Sequence, residues 1–200
     1  MPVQGLYALQ NGFLGAQRSL LFYGEFSEAR TQIPITCYVV RTSDAIILFD
    51  TGVAPRAVPG LMRNDPFARF TDEDLLVHRL DGLDLSPSNV DLVVLSHLHY
   101  DHAGGAALFS ESELVVQKDE YSYAHYPAPF FASFYYRKNF DLPASKWRLL
   151  DGDRSRPSSR CTNRSSSVNR ANGSLRMRPG TARGATPVSN RMMASEARTA

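Results

Sequence analysis

A chain of 200 residues, with 43 % hydrophobic and 21 % charged side chains, allows one folded domain, or one domain with a tail. Two cysteines exclude a disulfide-built scaffold, and no apolar run approaches the roughly 20 residues that span a bilayer as a helix. The formal net charge of +2 hides two opposed pieces: residues 154–200 hold ten Arg, no Lys and the single acid Glu196, a balance of +9, and the rest carries −7.

Residues 1–30 lack the charged start, apolar middle and small-residue cleavage site of a secretory signal, so a cytoplasmic setting is expected. Apolar, β-branched stretches at 6–9, 36–41 and 45–49 predict strands, with Cys37 a buried small hydrophobe. Asp50, Thr51 and Gly52 follow the third strand, where a turn is expected. Residues 71–81 read as an amphipathic helix. Thr71 is its candidate N-cap with Asp74 three residues on, and Gly82 its stop. Leu75, Leu76 and Leu80 form its apolar side, and His78 faces solvent or an edge. A strand at 90–95, a helix at 103–109, a strand at 114–117 and a helix at 118–126 complete an alternation that suits a layered α/β sheet. Residues 127–147 set Phe130, Phe131, Phe134, Tyr135, Tyr136, Phe140 and Trp147 among three prolines. Two roles are open: the wall of an apolar pocket, or core packing of a long connection, the commoner fate of such clusters.

The 90–95 strand runs into His97-Leu98-His99-Tyr100-Asp101-His102, and Ala103-Gly104-Gly105 follows. A lone histidine is seldom a ligand. Three imidazoles and a carboxylate within six positions, at the end of a core strand, point to metal. The i, i+2 spacing lets an extended loop turn His97 and His99 toward one ion, and Asp101 with His102 toward a second. Two close ions can share a water, lower its pKa and polarise a carbonyl or phosphoryl oxygen. His78 and His125 are weighed as further ligands and set aside, the first as a surface residue and the second as the end of a short helix.

The His-x-His-x-Asp-His segment resembles the signature of the metallo-β-lactamase-fold hydrolases. Residues 37–42, 46–52, 96–105, 115–121 and 149–153 resemble, within that superfamily, the N-acyl-homoserine lactonases. The resemblance spans about residues 3–153. It implies an α/β fold, residues 1–153 being the first half of an αββα sandwich with the metals between the halves. It implies two zinc ions bracketing a hydroxide that attacks a lactone carbonyl, a small-molecule lactone as substrate, and release of an acyl-homoserine. His97 and His99 would hold the first ion, and Asp101 and His102 the second. Asp101 would also pass a proton to the leaving alkoxide. Asp50 resembles the aspartate that orients a ligand histidine from behind, and a plain turn role remains open beside it. The family's other ligands, a third His, a bridging Asp and a last His, come from its second half. The five histidines here are His78, His97, His99, His102 and His125. With one half encoded, the sheet is expected to expose an apolar face, which favours aggregation or an unstable fold.

Residues 154–200 form a basic, low-complexity Arg/Ser-rich tail without aromatics, which buries too little to offset its chain entropy and is expected to be disordered. Two origins are open: a genuine basic appendage, or a stretch read in a shifted frame, the latter favoured because the change falls mid-fold. Competing functions are another hydrolase of this fold, a thioesterase of the glyoxalase kind or a β-lactamase, and a non-catalytic degenerate domain whose basic tail binds nucleic acid. Such a tail more often has no partner. The sequence fixes no oligomeric state.

Overall fold

The structure, a computed structural model, describes residues 2–152. These lie within one compact unit, Met1–Arg156. The expectations for residues 154–200, their disorder, their origin and their contact with nucleic acid, fall outside the described residues, as does Cys161.

Strands β1 (Val3–Gln17) and β2 (Arg30–Thr42) form a long antiparallel ribbon, joined through the single-turn helix α1 (Arg18–Leu21). Strand β3 (Ile46–Phe49) pairs antiparallel with β2; β4 (Leu92–Val94), β5 (Glu113–Gln117) and β6 (Trp147–Leu150) then add in parallel. The order in the sheet is the order in the chain. Parallel neighbours need crossovers. Helices α2 (Val58–Asn64) and α3 (Leu76–Asp81) lie in the β3–β4 connection, and α4 (Lys118–His125) and α5 (Arg137–Phe140) in the β5–β6 connection.

One row of side chains, Tyr7, Val39, Leu48, Val93, Leu114 and Trp147, runs in register across all six strands. Leu76 and Leu80 of α3, Phe109, Ala124 of α4 and Phe140 of α5 cover it in one buried cluster. Each large apolar side chain so buried contributes about 1.5–3 kcal/mol. The facing row is different. Tyr38 and Phe49, register partners across β2 and β3, are 44 % and 40 % exposed, and Leu6 on β1 is 67 % exposed. The apolar sheet face anticipated from the sequence is therefore open among the described residues. No helix among them is long and apolar enough to cross a membrane.

Local departures from expectation have tertiary causes. Residues 71–81 do not form one helix: a 3-10 turn over Asp72–Asp74 stops at Leu75, which is extended, before α3 begins. Asp74 Oδ2 does accept the Thr71 N–H at 2.8 Å. The Asp74 carbonyl, however, is taken by Asn11 Nδ2 of β1 at 3.0 Å, so it is drawn to a neighbouring strand. His78 is exposed, as expected. Residues 103–109 contain only a 3-10 turn, Ala106–Leu108, because the Gly104 and Gly105 amides are committed to the loop after β3. The β6 strand has no counterpart among the elements expected from the sequence. Cys37 is fully buried, and burial, followed by the Asp50 charge, pushes its thiol far above the ordinary range.

Candidate metal centre

Strands β3 and β4 are parallel neighbours, so the loops leaving them emerge at the same sheet end, where open α/β sheets place their ligands. Asp50 closes β3 with its amide on the Val94 carbonyl at 2.9 Å. Its backbone turns into the left-handed region, φ 59°, which Asp tolerates better than most residues. The carboxylate then meets the loop after β4. Oδ1 accepts the Ser96 N–H at 2.8 Å, and Oδ2 accepts the Ser96 hydroxyl at 2.9 Å and lies 2.8 Å from His102 Nδ1. The Ser96 hydroxyl in turn lies 3.0 Å from His97 Nδ1.

Thr51 fixes the far end of the histidine loop. Its N–H and its hydroxyl both donate to the His102 carbonyl, at 2.6 and 2.8 Å. Gly105 N–H returns to Thr51 Oγ1 at 3.1 Å, and Gly104 N–H reaches the Gly52 carbonyl at 2.9 Å. A side chain at position 104 would come under 3.0 Å from backbone atoms of Ala54, Tyr100 and Gly52. The two glycines after the histidines are thus demanded by close backbone approach.

This frame brings four predicted residues and Asp50 together. The His97 ring centroid lies 4.3 Å from that of His99 and 4.1 Å from that of His102. Asp101 Oδ2 is 3.5 Å from His102 Nε2. Burial, then the neighbouring His102 and His99 charges, hold the His97 pKa below the usual histidine value. Burial also lowers His99, against the charges of Asp101 and Glu120. His102 moves the other way: burial pulls it down, but the Asp50 hydrogen bond and the Asp101 and Asp50 charges outweigh that and raise it. For Asp50, burial acts to raise the pKa, and the hydrogen bonds from His102 and Ser96 lower it further than burial lifts it.

Glu120, on the first turn of α4, drew no notice in the sequence. Its Oε1 accepts the Leu98 N–H at 2.8 Å, which pins the backbone between His97 and His99. Burial and the charge and hydrogen bond of Glu120 push the Tyr135 phenol up to about 12. A glutamate after a strand carries no local signal of this; the contact exists only once α4 packs beneath the loop.

The aromatic segment divides between its two expected roles. Phe140 is fully buried in the core. Phe134 stacks on His99 at 5.2 Å between centroids, Tyr135 meets the same ring edge-on at 4.7 Å, and Tyr136 stacks on Tyr100 at 5.0 Å. These three form a wall beside the histidines. His125 lies elsewhere in the packing: its Nδ1 is 2.8 Å from the Tyr121 carbonyl and its ring abuts Phe140.

Imidazole nitrogen and carboxylate oxygen are the donors zinc accepts, so the donor chemistry fits that ion. Among the described residues no three or more His, Cys, Asp or Glu side chains form a group placed to hold one metal ion. The two side chains per ion expected from the sequence would leave each shell short of the three or four protein ligands zinc sites use.

Comparison with known proteins identifies the family. The profile of the Metallo-beta-lactamase superfamily matches residues 30–170. An N-acyl homoserine lactonase of Bacillus thuringiensis is 31 % identical over 166 residues, covering 76 % of this chain and 62 % of its own length. N-acyl homoserine lactonase AttM of Rhizobium johnstonii is 34 % identical over 154 residues, covering 74 % and 58 %. The crystal structure of an N-acyl homoserine lactone hydrolase, with the product N-hexanoyl-L-homoserine at its catalytic metal center, superposes with a TM-score of 0.66 at 28 % identity, over 76 % of this chain and 61 % of that one. The chain thus spans about three fifths of the length of these relatives. With a profile that matches most of its length, the chain belongs to the metallo-beta-lactamase superfamily of hydrolases.

Proposed function

We propose that this chain supplies the histidine-loop part of a metal-dependent hydrolase that opens the lactone ring of N-acyl homoserine lactones. The observation that carries the reading is the two-sided grip of Asp50, on His102 Nδ1 and on both the amide and hydroxyl of Ser96. A turn residue alone has no use for a carboxylate placed against an imidazole. The names of the relatives point to the lactone as the substrate.

His97 and His99 would hold one zinc ion, and Asp101 with His102 a second. Bound there, the ions supply Lewis acidity, which makes water nucleophilic near neutral pH and polarises the ester carbonyl. The side chains do the positioning. An Nδ1–H donated to Asp50 leaves the Nε2 lone pair of His102 on the side of Asp101, 3.5 Å away, with which it would share the second ion. Ser96 holds the His97 ring in the same way through its hydroxyl. Phe134 and Tyr135 restrict the rotation of His99 and offer an apolar surface to an acyl chain. Asp101 would take the proton that the attacking water gives up and, when the acyl C–O bond breaks, hand it to the departing alkoxide. One water is consumed, and the product carries a free hydroxyl and a carboxylate.

The test is acid release by the zinc-supplied chain from N-hexanoyl homoserine lactone, a thioester and a β-lactam, run in parallel. The lactone should be opened fastest, and Asp101→Asn should abolish the release. Faster turnover of the thioester or the β-lactam, or none of the lactone by protein shown to carry zinc, would overturn the proposal.

A further inference from the structure

The cavity beside the histidine loop carries a charge that its surroundings do not share. It measures about 790 Å³, and His99, Asp101 and Phe134 border it together with the apolar Leu14, Ile33 and Leu61. Arg30, Arg56 and Arg63 border it too, against two acids, Asp65 and Asp101. Residues 1–153 hold 12 basic and 19 acidic side chains, so a quarter of the cations of an acidic body gather at one cavity.

The local partners offset one of those charges, Arg30, and leave the other two. Asp65 is committed to the Gly15 and Phe67 amides as well as to Arg30, which lies 3.4 Å away. Arg56 donates to Asn139 Oδ1 at 2.9 Å and to the Lys138 carbonyl, both neutral acceptors, so its charge stays uncompensated. Arg63, in the last turn of α2, is exposed, and its side chain has no hydrogen bond or ion pair among the described residues. A trough with Leu14, Ile33 and Leu61 on part of its wall and two uncompensated guanidinium groups at its edge suits a chain of methylenes that ends in, or carries, a carboxylate. Guanidinium recognises that group with paired, charge-assisted hydrogen bonds.

We infer that this cavity selects acyl arms bearing an anionic group, with Arg63 and Arg56 as the specificity-determining cations. The inference rests on the lactonase reading for what the arm is attached to; the cavity and its charges stand apart from it. A neutral arm gains only burial against Leu14, Ile33 and Leu61, whereas an anionic arm gains the guanidinium contacts as well.

Equilibrium binding of two probes to the full 200-residue chain tests this. The probes are a homoserine lactone with an ω-carboxyacyl arm and one with a methyl-ended arm of equal length, titrated by NMR. The carboxylate-ended probe should bind about three- to tenfold more tightly at low salt, a modest factor because the cations are solvent-exposed. The advantage should shrink with added salt, vanish in Arg63→Glu combined with Arg56→Ala, and survive in Arg63→Lys. Arg63→Glu alone, at an exposed helix end, should already reduce it. Equal affinities, a preference for the methyl-ended probe, no binding of either, or an advantage that persists in the double variant would overturn the inference. Ring opening is followed separately. A binding preference without turnover of either probe by zinc-loaded protein would sink the lactonase reading and leave the cavity assignment intact.

Discussion

Asp50 concentrates more of the site's order than any histidine does. Asn keeps its shape and tolerates its left-handed φ of 59°, so Asp50→Asn isolates the charge. Loss of a carboxylate behind a ligand imidazole costs about 10- to 100-fold in metal affinity, and that is the expected drop in a zinc titration against a competing chelator. An unchanged affinity would reduce Asp50 to a turn residue. The pair also predicts a pH dependence for metal-free protein. Asp50 is depressed, so its contribution is present above the unfolded carboxylate value, near 3.9, and fades as pH falls through its lowered folded value. His102 is raised, so its contribution is complete below the unfolded histidine value, near 6.5, and fades as pH rises through its raised folded value. His97 and His99, both lowered, act oppositely, because the unfolded chain protonates before they do and acid favours it. The wild type minus Asp50→Asn difference in urea stability cancels His99, which does not feel Asp50, and most of His97, whose pKa the Asp50 charge lifts in the same sense as that of His102. It should peak between about pH 4 and 6.5 and shrink above; a flat difference would contradict the pairing. For Glu120, Ala leaves the Leu98 amide without its acceptor, at a cost of about 1–3 kcal/mol, and Gln, which keeps an acceptor, should cost less. Equal losses in urea unfolding would show that the amide contact is not what matters.

The clasp between the β3 loop and the histidine loop is built from backbone, and so it is intolerant of bulk. Gly104→Ala places a methyl group against three main-chain atoms that cannot swing aside. Overpacking of this kind costs about 1–3 kcal/mol, read as a lowered urea midpoint with zinc uptake weakened alongside; a variant as stable as wild type would mean that the loops are not held this closely. The sequence showed this clasp in part. Gly104-Gly105 after the ligand run, and Asp50-Thr51-Gly52 after a strand, are local signals that survive without coordinates. The strands β2 to β5 were legible because apolar, β-branched runs bury on a sheet wherever it sits. What escaped depends on distant partners. The 71–81 helix breaks at Leu75 where Asn11, 63 positions before Asp74, captures a carbonyl. Residues 103–109 give their amides to Thr51 and Gly52 rather than to a helix. Strand β6 begins with Trp147, at the end of the proline-broken aromatic stretch, and is recognisable only by its pairing with β5. Glu120 acts through packing of α4 that no spacing rule encodes.

Taken together, the described residues make a six-stranded sheet covered on one face and open on part of the other. Leu6, Tyr38 and Phe49 on that open face are the kind of contiguous apolar surface that drives self-association. Purified protein should bind a hydrophobic dye and show concentration-dependent light scattering, both reduced by Phe49→Lys, whose side chain lies on the exposed face and outside the core cluster. A monomer that ignores the dye would show that the face is covered in solution. The hydrolytic chemistry proposed for this chain depends on the histidine loop being a metal centre. Elemental analysis of folded protein, dialysed after exposure to excess zinc, addresses that directly. Bound zinc is predicted in the wild type and its loss in the His97→Ala, His99→Ala double variant; well-folded wild-type protein without zinc, or a double variant that retains it in full, would contradict the account.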